Sequence, residues 1–147
     1  MPLFQGWRVE DASSRARLTD EGIVSGSDDE VNFRSKKAQE VEDLRQAMLA
    51  HLDWQNTTDT PFISVYKDMN RAKIEATRRL IAGKRNVVIH EILVGDSWYG
   101  NIQFRSVPKL MNTLGERIPQ YAAHMAEYEV FLHCIPRECV RDTLTLF

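Results

Sequence analysis

The stretch that most constrains the fold of this chain is residues 126–136, AEYEVFLHCIP. Its polar and apolar residues alternate as in a β-strand, where successive side chains point to opposite faces of the sheet. Glu127 and Glu129 would share one face with Phe131 and His133. The other, apolar face would consist of Tyr128, Val130, Leu132 and Cys134. Because a shift of the register by one residue would bury both glutamates, the pattern predicts a strand that presents the two carboxylates side by side.

Two earlier segments each carry a candidate polar residue. A first strand, from Leu3 to Val9, would place Arg8 near its end, and a central strand, PFISV, would present Ser64. Taken singly, an arginine, a serine or a pair of glutamates on a strand is typically an ordinary solvent-exposed residue. The order of the three elements, with the last one running on to Ile135-Pro136, is more specific.

This order resembles that of the arginine, serine, Glu-x-Glu class of mono-ADP-ribosyltransferases, which includes the catalytic chains of cholera-type toxins. The resemblance spans nearly the whole chain, which is also similar to a domain of filamentous fungi. It implies one ADP-ribosyltransferase-like domain over residues 1–147, with an α+β fold of two packed antiparallel or mixed β-sheets flanked by helices. The length, with 43% apolar and 27% charged residues, suits one globular domain.

The resemblance implies that the first strand contributes to an NAD site. In that family an arginine that closes the strand holds the pyrophosphate of NAD, and Arg8 is the matching residue. Trp7 precedes it, where an aromatic residue is also common. Arginine suits this task because its planar fork can bind phosphate oxygens in a bidentate way. The toxin chains also have a histidine shortly before their serine strand, which makes His51 a further candidate.

The serine strand departs from the family pattern, because the Ser-Thr-Ser triplet of the family is here Ser64-Val65-Tyr66. The resemblance implies that Ser64 hydrogen-bonds the catalytic glutamate and orients it toward the nicotinamide ribose. The departure leaves two alternatives open: Tyr66 takes over part of the nicotinamide contact, or the site has lost its activity. In the segment before the double glutamate, where the family reads its acceptor, we expect Tyr121 to face the substrate.

The resemblance divides the chemistry between the two glutamates. Cleavage of the bond between ribose and nicotinamide builds positive charge on the ribose, which a fixed carboxylate stabilises. Glu129 would supply that carboxylate and hydrogen-bond a ribose hydroxyl. Glu127 would bind the guanidinium of an acceptor arginine and take its proton during the attack. The expected activity is transfer of ADP-ribose from NAD to an arginine of an unidentified protein, with release of nicotinamide. Two alternatives are an NAD glycohydrolase and a catalytically inactive interaction module.

Composition argues against several other classes of protein. Cys134 and Cys139 are the only cysteines, and neither they nor the four scattered histidines have the spacing of a metal site. A formal net charge of −2 provides no basic footprint for nucleic acid. No run approaches the roughly 18 apolar residues of a membrane span. Because no secretory signal is visible at the N-terminus, a cytoplasmic location is the default expectation.

Hydrophobic periodicity predicts the remaining elements. The predicted helices are Ser35 to Leu52, Asp68 or Asn70 to Gly83, and one that begins at Ser106. In the second helix the inward residues would be Ala72, Ala76, Leu80 and Ile81, and the outward ones Lys73, Arg78 and Arg79. The other predicted segments are a strand over residues 87–94 at the centre of the sheet, a closing strand over residues 140–146, and a loop with a short helical turn over residues 13–30.

Overall fold

The computed structural model describes residues 3–27, 30–53, 59–98 and 101–146, with the backbone alone for residues 124, 126 and 127. Within these ranges the chain forms three helices and two antiparallel sheets, which confirms the predicted α+β class. The strands are β1 (Phe4–Glu10), β2 (Arg17–Thr19), β3 (Gly22–Val24), β4 (Phe62–Tyr66), β5 (Val88–Val94), β6 (Phe104–Ser106), β7 (Tyr128–Leu132), β8 (Cys134–Pro136) and β9 (Val140–Thr145). The helices are α1 (Ala38–Leu52), α2 (Met69–Ile81) and α3 (Val107–Thr113).

The larger sheet has six strands in the order β6-β7-β4-β1-β5-β9. Strand β1 pairs with β5 along its whole length, but it pairs with β4 only at Trp7 and Tyr66. Beyond that pair, β1 and β4 separate and leave a gap in the middle of the sheet. Strand β5, predicted at the centre, lies second from the edge instead. Its apolar sequence is explained by burial on both faces of the sheet, and a strand next to the edge can be buried on both faces as well as a central one.

The smaller sheet has three strands in the order β2-β3-β8. Strands β2 and β3 form a hairpin in the segment predicted to be a loop with a helical turn, so that prediction is wrong. The turn is closed by the Thr19 hydroxyl, which donates to the carbonyl of Gly22 at 2.9 Å, and Gly22 has a φ of 133°. Strands of three residues are too short to show a clear alternation of polar and apolar residues.

The predicted strand over residues 126–136 is broken at both ends. Glu127 is the last residue of a 3₁₀ segment, Gln120–Glu127, so it does not share a strand face with Glu129. His133 has a φ of 66°, a left-handed conformation that turns the chain after β7 and lets β8 join the other sheet. The predicted apolar face is confirmed for the three residues in β7: Tyr128, Val130 and Leu132 are buried.

Two hydrophobic clusters lie on the two faces of the six-stranded sheet. The first packs under the helices and includes Leu44, Met48 and Tyr66. The second lies toward the smaller sheet and includes Phe131 and Ile135. Both faces of the large sheet are therefore covered, which explains why Phe131, on the same face as Glu129, is fully buried.

The helices keep their predicted inner faces with local changes. Helix α1 begins at Ala38, three residues later than predicted, because the hydroxyl of Ser35 donates to the carbonyl of Asn32 in the preceding turn. Asp68 caps α2 by accepting from the amide of Asn70. Ile81 was predicted to face inward but is 83% exposed.

Helical geometry explains the error at Ile81. Ile81 is nine residues after Ala72, which places it about 180° around the helix from that buried residue. Arg79, predicted to face outward, is seven residues after Ala72 and therefore lies on the inner face. Its side chain is only 21% exposed.

Candidate functional site

The gap between β1 and β4 opens into a cavity of about 250 Å³, which we call the β1–β4 cleft. Its walls come from both strands, from the end of α1 and from the loop that precedes β2. Three arginines and the carboxylate of Asp53 line it, and each arginine has an acidic neighbour. The lining residues also include Ala16, His51 and Thr60.

Arg8 bridges the gap between the separated strands. Its Nη1 donates to the carbonyl of Ser64 at 3.0 Å, and its Nη2 donates to the carbonyl of Ala16 at 3.1 Å. Its buried Nε has no hydrogen-bond partner among the described residues and lies 3.9 Å from Oε1 of Glu10. Burial lowers the pKa of Arg8, while the Glu10 carboxylate opposes that effect. The guanidinium therefore holds β4 and the loop before β2 at the edge of the cleft.

A series of buried polar side chains stabilises the position of Arg8. Oε2 of Glu10 accepts from the amide of Leu18 at 3.2 Å and lies 3.4 Å from Nε2 of His90. Nδ1 of His90 is 2.8 Å from the hydroxyl of Thr143 on the edge strand β9. Although burial raises the pKa of Glu10, the bonds from His90 and Leu18 and the charge of Arg8 hold it below its usual value. Glu10 is therefore an ionised counterion for Arg8.

Sequence reasoning missed Glu10 and His90. Glu10 lies two residues after Arg8, so the alternation of β1 places both on one face. The two-residue spacing in a predicted strand could therefore have indicated that Glu10 lies beside Arg8. His90 is 80 residues away, and only the register of β1 with β5 brings it alongside.

His51 in the last turn of α1 holds the hydroxyl of Ser64. Its Nε2 lies 2.7 Å from Oγ of Ser64, and its Nδ1 lies 2.6 Å from the hydroxyl of Thr60. The imidazole also packs edge-on against Phe62, with ring centroids 5.5 Å apart. Burial, with a contribution from the charge of Arg8, lowers the pKa of His51 to about 4. The ring is therefore neutral near pH 7, with one nitrogen that donates and one that accepts.

His51 should make the stability of the domain fall in acid. The unfolded chain takes up a proton at the ordinary histidine pKa of about 6.5, whereas the folded chain does so only near pH 4. The stabilisation that neutral His51 gives to the folded state is thus complete above pH 6.5 and is lost as the pH falls toward 4. We expect wild type to lose about 2 kcal/mol more unfolding free energy between pH 7 and 4.5 than His51→Gln. Urea unfolding at both pH values measures this, and equal losses in both proteins would exclude His51 as the titrating group.

Glu129 lies on the face of the large sheet that the smaller sheet covers. It pairs with Val65 on one side and with Ser106 on the other. Its side chain is 13% exposed, and Oε2 lies 3.7 Å from Nζ of Lys67. Burial raises the pKa of Glu129 even though Lys67 and Lys109 oppose the shift. A carboxylate with a raised pKa is a common feature of sites that carry charge in a reaction.

The register separates the side chains of Ser64 and Glu129. Ser64 pairs with Val130 and Glu129 pairs with Val65, so the two side chains project from opposite faces of the sheet. The Ser64 hydroxyl contacts His51 under α1 instead. Arg8, by contrast, shares the face of Glu129. Trp7 and Tyr66 pair and share one face, so Arg8, the next residue of β1, lies on the other face with Val65 and Glu129.

The other residues singled out in the sequence lie away from the cleft lining. Trp7 packs against the first core cluster. Tyr66 is buried and its hydroxyl accepts from the hydroxyl of Tyr128 at 2.7 Å, while burial raises the pKa of Tyr66 far above its ordinary value. Tyr121 is 54% exposed in the 3₁₀ segment that ends at Glu127. The structure therefore brings Arg8 and His51 into contact with Ser64, and leaves Trp7, Tyr66 and Tyr121 outside that group.

Arg79 and Arg15 are cleft residues that sequence reasoning missed. Nη1 of Arg79 bonds to Oδ2 of Asp11 at 3.0 Å, and its Nε bonds to Oε2 of Glu75 at 2.7 Å. Nε of Arg15 lies 3.4 Å from Oδ1 of Asp59. The spacing of seven residues from Ala72 was a signal for the inward direction of Arg79, but no comparable pattern marked Arg15.

In the described parts of the chain, no group of three or more histidine, cysteine, aspartate or glutamate side chains is placed to hold a metal ion. None of the helices described is both long and apolar enough to cross a membrane. Cys134 and Cys139 are free thiols, and burial raises the pKa of Cys139 to about 11. A thiol with such a pKa is a poor nucleophile at neutral pH.

Comparison with known proteins gives one match. A family model described as a domain of unknown function (DUF7587) matches residues 5–147, from β1 through β9. No curated protein matches the chain.

Proposed function

The chain belongs to the DUF7587 family, and for this member we propose NAD-dependent mono-ADP-ribosyltransfer to an arginine of a protein acceptor, with release of nicotinamide. The observation that carries the proposal is that Arg8 and His51, which line the β1–β4 cleft, both contact Ser64. Nη1 of Arg8 donates to the backbone carbonyl of Ser64 at 3.0 Å, and Nε2 of His51 lies 2.7 Å from its hydroxyl. The three residues were chosen by their resemblance to one family's motifs, and these contacts support a common site.

Arg8 is suited to hold the pyrophosphate of NAD. A guanidinium has five N–H donors, two on each terminal nitrogen. Each terminal nitrogen gives one bond to a backbone carbonyl, so a second N–H on each remains for phosphate oxygens. Arg15 and Arg79 also line the cavity, each paired with a carboxylate. At about 250 Å³ the cleft is smaller than a typical small-molecule pocket, so part of a dinucleotide would extend beyond it.

Glu129 is suited to act at the nicotinamide ribose. Arg8 and Glu129 share a face of the sheet, and β4 lies between their strands, so their backbones are at least two strand spacings, or about 10 Å, apart. That separation fits a pyrophosphate and the adjoining ribose of one NAD molecule. In this arrangement the Glu129 carboxylate would stabilise the positive charge on the ribose as the bond to nicotinamide breaks. Glu127, just before β7, would bind the acceptor guanidinium and accept its proton.

Nicotinamide release from NAD tests the proposal directly. The purified chain is incubated with NAD, with and without agmatine as a soluble arginine analogue, and nicotinamide and ADP-ribosylated agmatine are quantified by chromatography. A transferase releases more nicotinamide when agmatine is present and forms the labelled acceptor. Nicotinamide release at the same rate with and without agmatine would instead indicate an NAD glycohydrolase.

One observation favours a second candidate, a catalytically inactive member of the fold that acts as an interaction module. The hydroxyl of Ser64 and the carboxylate of Glu129 project from opposite faces of the sheet, and Glu129 is paired with Lys67. Such a protein would neither bind NAD in calorimetry nor release nicotinamide. Binding of NAD together with release of nicotinamide would exclude this second candidate.

A further inference from the structure

Helix α2 has an exposed apolar stripe on the side that faces away from the core. Ile74 is 61% exposed and Ile81 is 83% exposed. They are seven residues apart, or about two helical turns, so they lie one above the other. With Lys73, Thr77 and Arg78 they line a shallow, open depression of about 430 Å³ on the surface of this one helix, which we call the α2 groove. Neighbouring exposed isoleucines that form a groove are a feature of interaction surfaces, unlike single scattered apolar residues.

Positive charge lies beside the α2 groove. Lys73 and Arg78 line it, and Lys84 and Arg85 follow the end of the helix. The two carboxylates between Lys67 and Arg85 are already engaged. Asp68 caps the helix, and Glu75 accepts from Arg78 and Arg79. The surface beside the isoleucines therefore attracts a negatively charged partner.

We propose that the α2 groove binds an acidic segment of a partner protein, which inserts an apolar side chain between Ile74 and Ile81. Charge complementarity selects the acidic segment, and the groove provides the place for the apolar side chain. Isoleucine side chains are stiff at χ1, so the walls of the groove lose little freedom on binding. Helix α2 contains no aromatic residue and only a short apolar stripe, whereas helices that lie in a membrane surface use large apolar faces with Trp, Phe or Leu.

The α2 groove is separate from the β1–β4 cleft. Arg79 reaches the cleft from the inner side of α2, while Ile74 and Ile81 lie on the outer side. A partner on the groove would therefore leave the cleft open. The inference does not depend on the function proposed for the cleft.

Selection from a random 12-residue peptide display library tests this inference. The whole chain and the double variant Ile74→Ser/Ile81→Ser are used as baits. We expect wild type to enrich peptides that combine net negative charge with an apolar residue. A synthetic copy of an enriched peptide should bind at least tenfold more weakly to the double variant and to Lys73→Glu/Lys84→Glu.

Two matched variants control for general changes of the surface. Leu144→Ser removes another exposed apolar side chain, 47% exposed, and Arg141→Glu reverses a charge, both on β9. Both should bind the peptide as wild type does. Equal thermal unfolding midpoints would show that the groove variants are folded, as expected for exposed positions.

Two results would overturn the inference. One is that the selection enriches no acidic peptides, or that an enriched peptide binds the Ile74→Ser/Ile81→Ser variant as tightly as it binds wild type. The other is binding to phosphatidylserine vesicles that the double variant loses, in the absence of any selected acidic peptide. That second result would assign the groove to an anionic membrane surface instead.

Discussion

Replacement of Glu129 by glutamine is expected to lower the rate of nicotinamide release from NAD by a factor of hundreds to thousands. Glutamine keeps the size of the side chain but removes the fixed negative charge. An oriented charge of this kind is commonly worth about 3 to 4 kcal/mol in the transition state. Because Glu129 is not assigned to the pyrophosphate, the affinity for NAD should change little. Chromatography of nicotinamide and calorimetry of NAD binding measure the two quantities separately.

Glu127→Gln is the matched variant for this prediction. It should lose transfer to agmatine but keep part of the hydrolysis of NAD, since water needs no carboxylate that binds a guanidinium. Glu40→Gln, in the exposed first turn of α1, should behave as wild type. If Glu127→Gln and Glu129→Gln lost hydrolysis equally, the division of roles between the two glutamates would be wrong.

Replacement of Arg8 by lysine should weaken NAD binding at least tenfold and destabilise the fold. Lysine keeps the charge, but one ammonium group cannot reproduce two bonds that diverge to Ser64 and Ala16. Loss of one charged hydrogen bond in a buried site costs about 1.5 to 3 kcal/mol, and this is the expected drop in unfolding free energy. Calorimetry with NAD and urea unfolding measure the two effects.

Arg141→Lys on the exposed edge strand β9 controls for the change from arginine to lysine. It should leave both quantities unaltered. Binding is compared at a temperature where both variants are fully folded, so that lost stability does not imitate lost affinity. Undiminished NAD affinity in folded Arg8→Lys would remove Arg8 from the binding site.

Local pattern was sufficient to predict much of the fold. The strand that carries Ser64 has clear flanking signals, and β4, from Phe62 to Tyr66, lies where the PFISV segment predicts a strand. The caps at Asp68 and Ser106 follow from the preference of short polar side chains for free helix amides. Arg8, His51 and Ser64 were selected by the family resemblance and not by local pattern, and in the structure Arg8 and His51 both contact Ser64.

Long-range pairing set the features that local pattern could not predict. The β2–β3 hairpin depends on β8, more than 100 residues later in the chain. The left-handed conformation is common for glycine and uncommon for other residues, so a histidine at position 133 gave no signal of the break in the strand. The opposite projection of Ser64 and Glu129 depends on a register that neither segment specifies alone.

His133, the single residue between β7 and β8, also limits how the two sheets can move apart. Its amide donates to the carbonyl of Pro61 at 2.7 Å, just before β4, and its carbonyl accepts from Ser25 at 2.8 Å, just after β3. The covalent chain and both hydrogen bonds thus connect the two sheets at one end. Any movement of the sheets away from each other must therefore be smallest at His133 and must increase with distance from it.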